Sequence, residues 1–267
     1  MATAVFFHAH PDDEAIATGG TMAKAAKAGH RVVLVTATKG EHGEVAEGFL
    51  EPGEALWERR VQEVKAAADI LGVHRNEFLG YVDSGMMDTP ENEAPESFWQ
   101  ADIDEAGERL AKILREEQAD VLVIYDPNGN YGHPDHIQVH RVGNKAAELA
   151  GTRKVYEVTF DRSYFQSLIQ RMREAGIQPP GDDAPDPNED IEIGMPAEII
   201  TTTVEVHDFI DIKRKAMAAH ASQISETSFF LSMPLDMFDA AWGQEWYILH
   251  GAADGTTEDD LFAGLPA

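Results

Sequence analysis

The chain has 267 residues, enough to bury a substantial core as one large domain or as a domain with a cap. Its 21 basic and 48 acidic side chains give a formal charge of −27, which disfavours nucleic acid and anionic membranes as partners and fits solubility or adaptation to salt. With no cysteine, disulfides, thiolate ligands and a cysteine nucleophile are excluded; no apolar run approaches a membrane span and no signal segment opens the chain, so a cytoplasmic protein is expected.

The apolar run Ala4–Phe7 reads as a short buried strand. It leads into His8-Ala9-His10-Pro11-Asp12-Asp13-Glu14. Pro11 cannot continue a central strand, and the three carboxylates stand where a helix through Ala17 would begin, at the end whose dipole favours negative charge. Three adjacent acids repel one another, and a fixed cation would resolve the repulsion. His10 and Asp13 therefore read as two ligands of a divalent metal, with Asp12 left for proton transfer. Thr21–Ala28 is a predicted helix ended by Gly29, and Val32–Val35 is a second buried, parallel strand. In the following loop, Thr38–Glu44, His42 is an alternative ligand or a rim residue.

Glu54–Leu71 is a predicted helix ended by Gly72. Arg60 and Glu63 lie one turn apart on it, as a simple ion pair or with Arg60 reaching substrate through its fork of donors. Glu77–Leu79 is a short strand, and Asp83-Ser84-Gly85 beyond it is turn chemistry. Thr89–Gln100 is expected as a loop crossing the active edge. Ile103–Glu117 is an amphipathic helix, with Ala106, Leu110, Ile113 and Leu114 on its apolar face.

The strand Val121–Ile124 delivers a second cluster, Tyr125 to His136, which holds His133-Pro134-Asp135-His136. Imidazole plus carboxylate is a set that zinc accepts, and ferrous iron suits the same donors. Strand ends converge on one edge of an α/β sheet, so the two histidine-rich loops can meet. Asp135 can hold a histidine in one tautomer. Tyr131 can donate its hydroxyl to an oxyanion or pack its ring over the loop. A helix from His136 to about Ala150 follows, with His140 one turn on as a further ligand or a supporting group.

Val155–Thr159 is another strand, and Tyr164–Ala175 a helix. Gly176–Glu192 is rich in Pro, Asp and Gly and reads as a loop. Ile199–Val206 is an edge or cap strand, and Asp208 caps a helix from Phe209 to Ser222 that carries Lys213 and His220. His220 lines the site, packs, or pairs with charge at the helix end. Trp242–Leu249 ends in a strand, and the acidic tail from Asp254 is expected to fray. The expectation is an α/β fold: a Rossmann-like, mostly parallel sheet flanked by helices over residues 1–160, a smaller C-terminal cap region over 161–250 that returns to the core, and a tail over 251–267.

His10-Pro11-Asp12-Asp13-Glu14 and His133-Pro134-Asp135-His136 resemble the two main motifs of the LmbE-like, or PIG-L, family of zinc-dependent N-acetylglucosaminyl deacetylases. The resemblance is strong over about the first 150 residues and looser afterwards, where Ala219–Gln223 is similar to a late motif. Arg60 and Glu63 resemble the family's Arg-x-x-Glu pair. Gly80–Met86 and Tyr125–His136 resemble the mycothiol-related branch, which holds a deacetylase of N-acetylglucosaminyl-inositol and an amidase of mycothiol conjugates. The resemblance implies a zinc held by His10, Asp13 and His136. It makes Asp12 the general base, and His133 the residue that stabilises the tetrahedral intermediate and, as imidazolium, protonates the leaving amine. It also places Asp83 against the inositol part of the substrate and Arg60 against its polar groups. The expected function is hydrolysis of the acetamide of an N-acetylglucosaminyl compound, with a mycothiol S-conjugate amidase or a non-catalytic sugar-binding protein as alternatives. The expected partner is a small amino-sugar conjugate, and a homo-oligomer is compatible with the sequence.

Overall fold

The computed structural model describes residues 1–46, 48–174 and 193–265, so the predicted loop Gly176–Glu192 lies outside the described residues. In chain order, β1 (Thr3–His8) is followed by α1 (Asp13–Ala17), α2 (Gly19–Lys27), β2 (Arg31–Thr36), α3 (Leu56–Leu71) and β3 (Arg75–Phe78). Then come α4 (Ile103–Glu116), β4 (Val121–Tyr125), the single turn α5 (Gly129–Gly132), α6 (Pro134–Ala150), β5 (Lys154–Thr159) and α7 (Arg162–Glu174). The C-terminal part adds β6 (Thr202–Glu205), α8 (Ile210–Ala219), α9 (Phe229–Ser232), α10 (Leu235–Trp242) and β7 (Gln244–Leu249).

The seven strands form one sheet in the order β3-β2-β1-β4-β5-β7-β6. The first five are parallel, as apolar runs buried on both faces require, and β7 pairs antiparallel with both β5 and β6. Phe6 pairs with Leu34 on one side and Val123 on the other, so β1 is the centre of the parallel part. The chain winds outward through β2 and β3, then returns to place β4 on the opposite side of β1. That reversal opens a crevice beyond the C-terminal ends of β1 and β4, where α/β sheets bind their ligands. Both histidine-rich loops leave the sheet there.

Several boundaries differ from expectation. The helix α6 begins at Pro134 rather than His136, because the His133 side chain caps it: Nδ1 accepts the Asp135 N–H at 3.1 Å. Asp208 does not cap α8; it lies inside a 3₁₀ turn, His207–Phe209, that leads into the helix. The stretch expected as a loop over 89–100 contains two short 3₁₀ turns, Pro90–Glu93 and Phe98–Gln100. The tail is docked as far as residue 265. Leu261 is buried, Phe262 stacks on His30 at 3.8 Å, and Glu258 accepts from Lys154 Nζ and the Tyr156 hydroxyl. No helix among the described residues is long and apolar enough to cross a membrane.

A buried ion pair joins α8 to β7. Lys213 Nζ donates to Glu245 Oε1 at 2.6 Å, and both side chains are almost fully enclosed. The same carboxylate accepts the N–H groups of Gly20 and Thr21 in the first turn of α2, each at 2.9 Å, so it satisfies orphan donors at a positive helix end. Gly20 is required in this approach, because a Cβ there would sit 2.6 Å from Val206 Cβ. Removing one partner of such a pair leaves an uncompensated buried charge. Lys213→Ala is predicted to cost about 3–5 kcal/mol in denaturant unfolding. A loss below about 1 kcal/mol, the range of an exposed pair, would show that the carboxylate is held by the helix end alone.

Candidate active site

The end of β1 and the start of α6 bring His10, Asp13, His133 and His136 together. Asp13 Oδ2 lies 3.6 Å from His10 Nδ1 and 3.4 Å from His136 Nε2. The edge of a tetrahedron around an ion with bonds of about 2.0–2.1 Å is about 3.4 Å, so these separations suit one bound ion. His10, His133 and His136 also bring ring nitrogens within 4.8 Å of one another. The donors present can therefore hold a metal ion. A second grouping, His10, Asp83 and Asp135, lies on the other side of the His10 ring. There His10 Nε2 is 3.0 Å from Asp135 Oδ2 and 3.5 Å from Asp83 Oδ1, which turns Nδ1 toward Asp13.

Asp135 is buried and is itself held. It accepts the Ser84 N–H at 2.9 Å and the Ser84 hydroxyl, and Ser84 Oγ accepts the Trp99 N–H at 2.8 Å. This carboxylate–histidine arrangement orients a ligand ring and fixes its tautomer. His136 is held differently. The Tyr125 ring lies flat against it, with centroids 4.4 Å apart and planes 9° from parallel. The Tyr125 hydroxyl meets His8 Nδ1 at 2.8 Å, and His8 Nε2 meets Thr18 Oγ1 at 2.9 Å. Gly129 lets α5 close over α6, since a Cβ there would stand 2.6 Å from His136 Cβ, and its φ is +61°.

The titrating groups follow from these contacts. Burial works against the His10 cation, but hydrogen bonds to Asp13, Asp135 and Asp83 outweigh it and raise the pKa well above the ordinary value. Burial likewise works against ionised Asp13, and His136 and His10 overcome it. Asp12 is pushed up to about 7 by burial and then by the Asp13 charge. His133 is pushed down to about 3 by burial, then by His10 and His136. With Nδ1 accepting from the Asp135 N–H, the ring proton of His133 sits on Nε2, a geometry that favours the neutral ring over the expected imidazolium.

Two cavities meet at this centre. A polar one of about 500 Å³ is lined by His10, His42, Glu44, Arg60, Asp83 and His133 among others. An apolar one of about 670 Å³ is walled by Ile16, Phe160, Phe165, Phe229, Phe230 and Trp242. Asp12, Asp13, Tyr131 and Gln223 line both. Tyr131 is 48 % exposed at the cavity mouth, its ring packs edge-on against His136 with centroids 4.9 Å apart, and its hydroxyl lies 3.4 Å from His136 Nε2.

Arg60 is buried, but not in an ion pair with Glu63. Its Nη1 donates to the Gly40 carbonyl, its Nε has no partner among the described residues, and Glu63 accepts instead from the Ser222 N–H and hydroxyl. Asp83 is both a turn residue, accepting the Gly85 N–H at 2.8 Å, and part of the polar wall. His42 lies on the rim, with its N–H toward Asp83. His140 is set back, 3.0 Å from the Tyr125 carbonyl and 3.3 Å from Glu157. His220 is fully buried against Glu14. Sequence reasoning gave no role to Ser84, Gln223 or the Phe229-Phe230 wall. For Gln223 the signal was present in the run Ala219–Gln223; its Nε2 is buried without a partner among the described residues.

Residues 5–147 match the family described as PIG-L, GlcNAc-PI de-N-acetylase. The chain is 42 % identical over 97 % of its length to a 1D-myo-inositol 2-acetamido-2-deoxy-alpha-D-glucopyranoside deacetylase of Acidothermus cellulolyticus, covering 93 % of that protein. It is also 42 % identical to the corresponding deacetylase 1 of Catenulispora acidiphila, over 97 % of this chain and 88 % of that one. Among solved structures, N,N'-diacetylchitobiose deacetylase from Pyrococcus horikoshii shares the fold, with a TM-score of 0.58 at 21 % identity, covering 92 % of this chain and 83 % of that one.

Asp135→Asn is predicted to leave the fold intact and to weaken binding of a divalent metal ion about 10–100-fold, because the amide no longer fixes the His10 ring as an anionic acceptor does. Competition against a chromogenic chelator measures this. Unchanged affinity would remove Asp135 from the support of the centre.

Proposed function

Because the chain belongs to the PIG-L family of GlcNAc-PI de-N-acetylases, we propose that it hydrolyses the acetamide of N-acetylglucosaminyl-inositol, releasing acetate and a free amine at a zinc centre held by His10, Asp13 and His136. The observation that carries this reading is the meeting of a polar and an apolar cavity at Asp12 and Asp13, beside the histidine cluster. A sugar and its polyol fit the polar side, and the acyl group faces the apolar side. Ferrous iron suits the same donors.

A bound zinc supplies a polarised carbonyl and a water that loses its proton near neutral pH. The chain's own residues do the rest. Asp12 stands beside the ligand carboxylate Asp13 and is not needed as a ligand, so it takes the proton of the attacking water. His133 donates from Nε2 to the developing oxyanion, and Tyr131 adds its hydroxyl from the cavity mouth. With His133 Nδ1 occupied by the Asp135 N–H and its one ring proton directed at the oxyanion, the proton that the leaving amine needs returns from Asp12. Arg60 and Asp83 offer a donor and an acceptor to hydroxyls of the aglycone, and Gln223 adds at the junction an amide N–H that has no partner among the described residues. Phe165, Phe229, Phe230 and Trp242, from the C-terminal part of the chain, wall the acyl side. A second reading, an amidase of mycothiol S-conjugates, is favoured by one observation: the apolar cavity is far larger than a methyl group requires.

Replacing His10, Asp13 or His136 by alanine is predicted to lower zinc content and abolish turnover, by metal analysis of each purified variant. Full stoichiometric zinc in all three would mean the ligands are wrong. Asp12→Asn is predicted to keep zinc and fold while losing about 10²–10⁴-fold in kcat; near-normal turnover in the zinc-loaded variant would end its assignment as the base. Arg60→Ala and Asp83→Ala should lower kcat/KM for N-acetylglucosaminyl-inositol and change N-acetylglucosamine much less. Equal losses on the two substrates would place their effect in the common centre rather than in aglycone recognition.

A further inference from the structure

Asp12 has φ 102° and ψ −30°, a backbone conformation that residues with a side chain rarely adopt. Such a residue costs about 1–3 kcal/mol and persists only where its surroundings over-determine it. The holding contacts are visible. The Asp12 carbonyl accepts the N–H groups of Ala15 and Ile16 at 3.0 and 3.1 Å, which ties it to the start of α1. The Asp12 N–H donates to Glu14 Oε2 at 3.1 Å. Glu14 is fully buried, and its other oxygen lies 2.6 Å from Nε2 of His220, also fully buried and 206 positions away.

His220 is fixed in turn. It ends α8, its N–H donates to the Met217 carbonyl, and its own carbonyl accepts the N–H groups of Gln223 and Ile224. Ser222 donates twice to Glu63 on α3, at 2.8 Å through its N–H and 2.6 Å through its hydroxyl. Hydrogen bonds thus tie Ser222 to α3 and, two residues earlier in the same turn, His220 to Glu14 and through it to the backbone of Asp12. Neither Glu14 nor His220 lines either cavity at the centre.

We propose that Glu14 and His220 are positioning residues for proton transfer: together they hold the strained Asp12 backbone so that its carboxylate stands free of the metal ligands and faces the substrate. This rests on the reading of Asp12 as the base. Asp13, the neighbouring ligand, is anchored separately through His10 and His136, so loosening Asp12 should leave metal binding in place. A displacement on the order of 1 Å costs up to about 10²-fold in rate, so the effect appears in kcat.

The test compares two variants that carry no buried charge at this place. In E14Q/H220Q, the glutamine at 14 still accepts the Asp12 N–H and donates to the glutamine at 220. In E14Q/H220L the same acceptor has lost its support. The expected result is kcat within about threefold of the parent for the first and about 10–100-fold lower for the second, with KM and zinc affinity within about twofold in both. Circular dichroism and thermal melting confirm that both are folded, and H220L and E14Q alone complete the cycle. Equal kcat in the two double variants overturns the proposal, as does a loss that runs in parallel with zinc affinity. Asp12→Asn, measured beside them, separates the two readings. If it turns over normally, the base assignment fails. If it is inactive while E14Q/H220L is fully active, only the positioning role fails.

Discussion

Three carboxylates in consecutive positions cannot share one environment. Two unit charges about 4 Å apart in a partly screened protein setting repel by about 4 kcal/mol, a large fraction of the stability of a domain. The structure resolves this by sending Asp12, Asp13 and Glu14 in three directions. Asp13 turns into the histidine cluster, Glu14 goes inward to His220, and Asp12 is left facing the junction of two cavities. Each direction needs a counter-group from a different part of the chain. The backbone at Asp12 carries the conformational cost of the separation.

That requirement organises the rest of the molecule. The return of β4 to the far side of β1 delivers His133 and His136, and the packing of α8 over α1, α2 and α3 delivers His220. The Lys213–Glu245 pair fastens α8 to β7 and to the first turn of α2, so the helix that carries His220 is bound to the sheet at a second point. The antiparallel strands β6 and β7 extend the sheet, while α9 and α10 bring the aromatic wall of the apolar cavity.

Much of this was legible in residue order. Short, β-branched apolar runs such as Val32–Val35 and Val121–Ile124 read as strands covered on both faces, and both are. The two motifs carried their chemistry through resemblance to the family's, since imidazole and carboxylate at strand ends also serve as helix caps and supporting acceptors, as His133 and Asp135 do here. What was hidden depends on contacts between distant segments. Arg60 and Glu63 sit at ion-pair spacing, yet Ser222 takes the glutamate and loop carbonyls take the arginine. The acidic tail reads as frayed until Lys154, Tyr156 and His30 are seen beneath it. The wall at Phe229-Phe230 belongs to a helix of four residues, too short to show a period. His220 looks like any histidine at a helix end, because its partner is 206 positions earlier.

The separation in sequence between the two histidine loops has a consequence for the newly made chain. His10 and its supporting Asp135 are 125 positions apart, and strand β4 must be in register with β1 before they meet. A chain still emerging from the ribosome, with β1 and β2 already paired, presents His10 and Asp13 without the opposing ring of His136, and so has only half of a chelating cage. A metal site built from these donors would form only after β4 and the start of α6 have been made, about halfway along the chain, since the free energy of ligation is also free energy of folding. The supply of ions would then act on the step at which β4 closes onto β1, and leave the pairing of β1 with β2 untouched.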